Sequence, residues 1–570
     1  MLKMLGMTAV GMGLCFSAFS AATQPQKGKM MQVTAATQHL HPESEPEFRQ
    51  IPNVTLMDKP YVPLMTVVGG DCMGNFTEEQ IKQIATTWRM VNSHGLMVNG
   101  DKQEQGMMKL WAGPDCGKDA EGRTSIDRIK AINPDFIFSN YRNGSYISQN
   151  CPDEAREVET RFPLAISVWN TSTTLTKSVS ASDSTLIISK FPTIPADRPA
   201  FYPFKKSTTT EEHSKNPREY VAFIRLGDEA IRIDDIQATA DGLTMQVKRG
   251  IWGTTASDHS EGTPVLQPIY IGRNMGIDKG DAYLSGTPDN KSPQLGLRYA
   301  LITKDPKFQE WLGEKAAAIF NQNYDVCWLD VSVSTWYNNA NPYGDDVNPW
   351  NLATNANLTN DEYREWQQIK TDALYQRFPD KKFWINNVKP GNYWRNGHDR
   401  YQLSGENGHH PVDGGCMENY AQGHNDWPTL VDQTIDMAKN FQGVAWSKGQ
   451  DVNGYRLFSY ATYLLAYEPK GRLYFAISEG TGLLKKPQSM FYCDLGEPQQ
   501  HFDKAADAAM SGHAGIYARK FAKGLVLVNA AAQASSIDLD SELIDIDNGQ
   551  SVKSVSIGAY NAKILLMPQK

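Results

Sequence analysis

YDVCWLDVSVS, residues 324–334, decides the fold. Four apolar residues, Val326–Leu329, run without alternation and end on one carboxylate, Asp330. A strand buried on both faces reads as such a run, and parallel sheets are built from strands of this kind. A carboxylate at the end of the run is either a turn or capping residue or, in a barrel enzyme, a group at the catalytic mouth. A helical pattern precedes the stretch over 305–322, with Phe308, Trp311, Leu312, Ala316, Ile319 and Phe320 at helical spacing. A loop rich in aromatics and Asn follows it, with Trp336, Tyr337, Asn338, Asn339, Tyr343 and Trp350.

The same alternation of strand and helix extends in both directions. Downstream, KKFWINN (381–387), GGCMENY (414–420), QGVAWSK (442–448) and RLYFAIS (472–478) read as strands. They are separated by helices over 359–377, 428–440 and 454–467, and successive strands recur about every 30 residues. Upstream, a strand over 61–71 leads to a helix starting at Thr77, with Gln80 completing a capping box, and running to about residue 90. A short strand is expected at 95–98. A helix over 124–132 then leads to a strand over 135–144 that carries Tyr141 and Arg142 near its end. Eight such steps predict an α/β fold, a closed (β/α)8 TIM barrel.

Two stretches break the pattern. Residues 165–272 are rich in Ser, Thr, Val, Ile and Gly and alternate as antiparallel strands do, which predicts an inserted antiparallel β-domain after strand 3. The tail, from about residue 515, again shows short alternating strands and predicts a C-terminal β-sandwich. The expected organisation is 1–22 signal peptide, 23–58 N-terminal extension, 59–164 first part of the barrel, 165–272 insert, 273–490 second part of the barrel and 491–570 sandwich. The signal peptide rests on Lys3, an apolar stretch and the small residues Ser17–Ala22, with cleavage expected after Ala21 or Ala22. It implies a secreted or periplasmic protein in which disulfides are permitted. Among Cys72, Cys116 and Cys151 one pair is plausible, whereas Cys327 and Cys416 sit in strand-like runs and read as buried thiols.

Composition narrows the function classes. The net charge of −8 and the lack of a basic run argue against nucleic acid and against anionic membrane surfaces. No later segment is long and apolar enough to span a bilayer. Thirteen Trp and 24 Tyr suit a surface that stacks on sugar rings, so the expected partner is an oligo- or polysaccharide. There is no GxSxG elbow, no phosphate loop and no dinucleotide fingerprint, and hence no cofactor is expected. His409, His410 and Asp413 lie in a Gly-rich loop without helical metal-ligand spacing, so no metal is expected. The oligomeric state stays open.

If the barrel closes, the strand ends meet at one mouth. Glycoside hydrolysis needs two carboxyl groups about the scissile bond, one ionised and one carrying the proton for the leaving oxygen. Asp330 and Glu418 end strongly apolar runs and are the candidate pair. Glu418 could instead form a structural ion pair with Lys448 or Arg142. Asp71, Tyr141, Arg142, Trp336, Asn387, Tyr420, Trp446, Lys448 and Glu479 are the candidate substrate-binding residues. Of these, Asp71 could be a turn residue, Glu479 a rim group and Trp446 barrel core. Asn386 and Asn387 could simply satisfy buried backbone. Arg142 and Lys448 together would suit an anionic or sulfated sugar.

The helix followed by YDVCWLD resembles the fourth strand of barrel glycoside hydrolases, GGCMENY a later acidic strand and NYRNGSY a third-strand pattern of that group. The resemblance is to the endo-α-1,4-polygalactosaminidase relatives and, further off, to the melibiase and α-amylase barrels. It covers about 60–80, 120–150 and 300–480. It implies that Asp330 is the nucleophile or base and Glu418 the proton donor. The α-amylase group also carries an inserted domain after strand 3. Cys327 and Trp328 stand where that group has small residues, and the loop after Asp330 is longer. KRGIWGTTASDHSEGT, within the insert, resembles a turn-rich repeat of phage-tail-like and extracellular β modules. Two readings from other classes remain: a non-catalytic, lectin-like barrel, and a surface adhesion protein that binds through the insert.

Overall fold

The computed structural model describes residues 48–69, 76–94, 119–148, 152–189, 223–239, 242–268, 270–272, 297–330, 332, 349–386, 388, 394, 398–422, 426–448, 454–477, 483–484 and 486–568. The expected leader and extension up to residue 47, Cys72, Cys116 and Cys151, and the second strand expected at 95–98 lie outside these residues.

In chain order the first elements are β1 (Leu64–Gly69), α1 (Glu78–Thr87), β2 (Met90–His94), α2 (Ser125–Ile132) and β3 (Ile137–Asn143). The Thr77–Gln80 capping box forms, with each partner bonded to the other's backbone N–H. Strand β2 begins where the sequence suggested the end of α1. Its sequence lacks an apolar run because Asn92 and Ser93 occupy its buried middle, and Asn92 accepts a hydrogen bond from the Ser139 hydroxyl inside the barrel.

The chain then leaves the barrel through β4 (Tyr146–Ser148) and α3 (Pro152–Arg161). The insert follows as β5 (Val168–Thr174), β6 (Thr185–Ile188), β7 (Phe223–Leu226), β8 (Glu229–Ala238), β9 (Leu243–Lys248) and β10 (Pro264–Pro268). These form one six-stranded sheet in the order β5-β10-β7-β8-β9-β6. First and last strands are hydrogen-bonded neighbours, with Pro268 opposite Val168. The RGIWGTTASDH turns of the insert wrap a buried carboxylate: Glu229 accepts from Arg249 at 2.7 Å, from the Gly250 and Ser257 N–H groups, and pairs with His259 at 2.9 Å. Such a charge is tolerated inside only because each lone pair is used. The return path is β11 (Tyr270–Gly272) and β12 (Leu297–Ala300), and β12 pairs with both β11 and β4.

The barrel resumes with α4 (Pro306–Phe320) and β13 (Val326–Asp330). A small hairpin, β14 (Trp350–Asn351) with β15 (Ala356–Asn357), precedes α5 (Asn360–Arg377) and β16 (Lys382–Asn386). Then come α6 (His398–Ser404), β17 (Gly414–Glu418), α7 (Trp427–Asn440), β18 (Gln442–Ser447), α8 (Tyr455–Ala466) and β19 (Arg472–Ile477). Eight parallel strands close in the order β1-β19-β18-β17-β16-β13-β3-β2. The fold is a TIM barrel, and β13 is its fourth strand along the chain. Of the described helices, none is long and apolar enough to cross a membrane.

The tail, expected as a β-sandwich, is one five-stranded antiparallel sheet: β20 (Ile516–Phe521), β21 (Gly524–Asn529), β22 (Ser535–Asp545), β23 (Gln550–Ile557) and β24 (Asn561–Leu566), in the order β20-β21-β24-β22-β23. Val526, Val528, Ile564 and Leu566 join the core that surrounds the barrel helices, while Leu527, Ile537, Val555 and Leu565 form a separate small core. Fully buried Arg519 fastens the tail to α8. Its guanidinium donates to the carbonyls of Leu464, Leu465 and Tyr467, groups that a helix end leaves unpaired. Cys327, Cys416 and Cys493 are buried free thiols.

Candidate active site

Strand geometry chooses which residues reach the barrel lumen. Side chains alternate between lumen and helix layer along each strand. On β13, Val326 and Trp328 pack inside and Cys327 and Leu329 outside, so Asp330 faces in. On β16, Trp384 faces in and Phe383 and Ile385 out, so Asn386 faces in. On β17, Cys416 faces in and Met417 out, which brings Glu418 inward. Tyr141 of β3 belongs to the same interior cluster. All four stand at or near the carboxyl ends of their strands, the end at which barrel enzymes work.

There they form one hydrogen-bonded chain across five neighbouring strands. The Tyr141 hydroxyl donates to Asp330 Oδ2. The Asn386 amide donates to Asp330 Oδ1 at 2.7 Å and to Glu418 Oε2 at 2.9 Å. Lys448, just past β18, donates to Glu418 Oε1 at 2.5 Å. A single amide nitrogen thus spans the two carboxyl groups, and those two oxygens lie at most about 5.6 Å apart, the length of the two bonds end to end. Asp330 is 8% exposed, and the Glu418 side chain 12%.

The floor under this chain is apolar and filled. Trp328, Trp384 and Trp446 are buried inside the barrel, with the Trp328 and Trp384 rings 5.9 Å apart and Tyr474 6.1 Å from Trp384. Room for them comes from the glycines of GGCMENY. A Cβ on Gly414 would stand 2.6–2.8 Å from the Trp384 indole, well inside contact distance. Large residues on β13 and β16 and a missing side chain on β17 are therefore one packing solution.

Beyond Glu418 the backbone turns sharply. Asn419 and Ala421 both adopt positive φ, 57° and 59°. For Ala this conformation costs about 1–2 kcal/mol, and strain of this kind persists where the surroundings impose it. Here the Tyr420 N–H bonds to the Trp446 carbonyl at 2.9 Å, and Gln422 Nε2 to the Lys448 carbonyl at 2.5 Å. The loops after β17 and β18 are thereby tied together, and with them Glu418 and Lys448.

The sequence-derived candidates divide accordingly. Asp330, Glu418, Tyr141 and Lys448 meet. Asp71, Trp336, Asn387 and Glu479 lie outside the described residues. Three expectations need correcting. Arg142 faces the helix layer, because alternation sends it opposite to Tyr141, and its guanidinium lies 5.2 Å from the Trp311 ring of α4. Tyr420 is 1% exposed and its hydroxyl bonds Thr434 of α7, since the positive-φ residues on either side turn its ring outward. Trp446 is 1% exposed and forms the floor, with the Lys448 ammonium 4.9 Å above its ring. Asn386, rather than the candidate Asn387, reaches the site, as counting by twos from the lumen-facing Trp384 requires. The His409 loop lies elsewhere: His409 sits between Asp372 and Glu365 of α5, and Asp413 accepts from the Phe383 N–H and the Tyr375 hydroxyl.

No family model and no curated protein matches this sequence. Solved structures similar to the chain include a Bacillus licheniformis trehalose-6-phosphate hydrolase, 10% identical over 90% of this chain and 100% of its own, with a TM-score of 0.37. An isomaltulose synthase from a Klebsiella species is 10% identical over 89% of this chain and 98% of its own, at 0.39. An Arthrobacter globiformis isomalto-dextranase complexed with panose is 8% identical over 92% and 76%, at 0.36. The side chains at the barrel mouth carry the functional reading.

Proposed function

We propose that this chain is a secreted glycoside hydrolase that cleaves a polysaccharide with retention of anomeric configuration. The observation behind it is the pair of carboxyl groups bridged by the Asn386 amide. Retaining enzymes hold their carboxyl groups about 5–5.5 Å apart and inverting ones about 6.5–9.5 Å, and a limit of about 5.6 Å between the bridged oxygens favours the shorter spacing. In this scheme an Asp330 oxygen attacks the anomeric carbon while the glycosidic C–O bond breaks. Glu418 gives its proton to the leaving oxygen. It then takes a proton from water, which displaces Asp330 from the anomeric carbon. Lys448 has to release Glu418 before that carboxyl can carry a proton, so substrate is expected to open the ion pair.

Relationship to the polygalactosaminidase-like and melibiase-like barrels is part of the same proposal, resting on YDVCWLD and GGCMENY. An anionic sugar is no longer favoured. Arg142 points away, and Lys448, the cation described at the mouth, already neutralises Glu418. A neutral sugar fits better.

The Lys448–Glu418 pair also favours a second reading, a barrel that binds sugar without cutting it. The test is a panel of neutral and sulfated polysaccharides, scored for binding and for new reducing ends. The hydrolase reading expects Asp330→Asn to bind normally and to lose about 10²–10³-fold in rate. It also expects the first-formed product, read by proton NMR, to keep the anomeric configuration of the substrate. Binding by the wild type without release of reducing ends would establish the second reading. Sequencing the N-terminus of exported protein checks cleavage after Ala21 or Ala22.

A further inference from the structure

Lys370 lies on α5, on the face turned toward the barrel, and is fully buried. Its ammonium makes three hydrogen bonds: to the Gly144 carbonyl at 3.0 Å, the Ser332 hydroxyl at 2.7 Å and Gln367 Oε1 at 2.6 Å. All three acceptors are neutral. Burial is the main influence on the group and draws it from its ordinary 10.5 down to about 7. Among the described residues this buried ammonium is answered by dipoles alone, a costly choice for simple packing, and Met would fill similar space.

What the ammonium touches suggests the reason. Gly144 follows β3, which carries Tyr141, and Ser332 stands two residues beyond Asp330. The two segments already meet through the Gly144 N–H, which donates to the Asp330 carbonyl at 2.9 Å. Their approach is so close that a Cβ on Gly144 would fall 2.1 Å from the Ser332 hydroxyl and 3.2 Å from the Lys370 nitrogen. Gln367 extends the same set by accepting from the Ser145 hydroxyl at 3.1 Å.

We infer that Lys370 is a positioning residue: from behind the barrel wall it draws the segments after β3 and β13 together and so sets the Tyr141–Asp330 contact at the mouth. The inference rests on Asp330 being a reacting group. It makes Lys370 a determinant of turnover that never meets substrate. Its lever is Ser332, and the quantity it controls is the placement of the Asp330 carboxylate against the Tyr141 hydroxyl. Displacement of a reacting group by about 1 Å can cost about a hundredfold in rate.

The experiment uses the full chain as Lys370→Met, Ser332→Ala, the double variant and Asp330→Asn. Each is assayed below its own melting temperature for hydrolysis of 2,4-dinitrophenyl glycosides of glucose and galactose in both anomers. Crystal structures of the wild type and of Ser332→Ala supply the geometry. The expected results are a kcat lowered about 10- to 100-fold in Lys370→Met with KM within about threefold, a smaller fall in Ser332→Ala, and a double variant no worse than Lys370→Met, as for two residues acting through one bond. In crystals of Ser332→Ala, Asp330 should stand farther from the Tyr141 hydroxyl. Should Lys370→Met fail to fold, Ser332→Ala decides alone, by its kcat and its Asp330–Tyr141 separation. Wild-type kcat in Ser332→Ala with that separation unchanged, while Asp330→Asn is inactive, overturns the role of Lys370 and leaves the hydrolase reading standing. Full activity in Asp330→Asn overturns both.

Discussion

Replacing Asn386 by Leu keeps a side chain of similar size at the mouth and removes both donors that separate Asp330 from Glu418. The consequence can be sized from the geometry. Two unit charges no more than about 5.6 Å apart repel by at least about 3 kcal/mol at an effective dielectric of 20. A hydrogen bond to a charged group contributes about 1.5–3 kcal/mol, and the amide makes two. Asn386 is 2% exposed, so solvent has little access to replace what is lost. Allowing for relaxation and for water drawn into the gap, Asn386→Leu should destabilise the protein by about 3 kcal/mol, within the range known for breaking buried polar networks. The assay is urea unfolding followed by tryptophan fluorescence, run on wild type, Asn386→Leu, Asp330→Asn and the double variant. Once Asp330 carries no charge the amide has less to hold apart, so Asn386→Leu should cost about 1–3 kcal/mol less in that background. Turnover should fall in parallel with loss of the bridge. Stability within about 0.5 kcal/mol of wild type, or strict additivity in the cycle, would refute the idea that one amide organises the pair.

Three further outcomes follow from other parts of the fold. Gly414→Ala should destabilise by about 1–3 kcal/mol in the same assay, because the Trp384 indole is walled in by Trp328 and Tyr474 and cannot retreat. Arg519→Leu should cost about 3–5 kcal/mol, the range for breaking a buried charged network by removing one partner. It strands the carbonyls at the end of α8 and leaves Glu468 without its guanidinium. At His409, burial acts to lower the imidazole pKa, but the hydrogen bonds and charges of Asp372 and Glu365 outweigh it and the pKa is raised. The folded protein then holds this proton more tightly than the unfolded chain, so the contribution is complete below pH 6.5 and fades as pH rises through the higher folded value. Melting temperatures from pH 5 to 9 should show that fall in the wild type and its loss in His409→Ala.

The barrel was legible in the chain because parallel strands buried on both sides are written as apolar runs, and VCWL, FWI and GVAW are such runs. Strand β2 is harder to read for the converse reason: its lumen side carries Asn92, which accepts a hydrogen bond from Ser139 on the neighbouring strand β3 instead of joining an apolar layer. Strand ends pointed to Asp330 and Glu418. The period of two carries the rest. Applied to the run ending in Tyr141-Arg142 it separates the residue that faces in from the one that faces out, and applied to WINN it selects Asn386 over Asn387. Lys370 left a local trace as well. It falls four residues after Trp366 and four before Leu374, on the apolar stripe of α5, and a lysine inside such a stripe asks for a buried partner. No local pattern could have given its partners, since Gly144 lies 226 residues away along the chain. The outward turn of Tyr420 likewise depends on contacts with β18 and α7 that the sequence around it does not encode.

The insert leaves and rejoins the barrel side of the chain through adjacent strands, β5 beside β10, with β4 and β12 paired beyond them. For heredity this has a meaning separate from chemistry. A segment whose two ends already touch can be spliced out, lengthened or exchanged by joining neighbouring points, and closing so short a gap costs the chain little entropy. The eight-stranded scaffold and the module it carries are thus free to evolve at different rates. Descent of one need not be descent of the other, and the ancestry of this protein is better traced strand by strand through the barrel than across its full length.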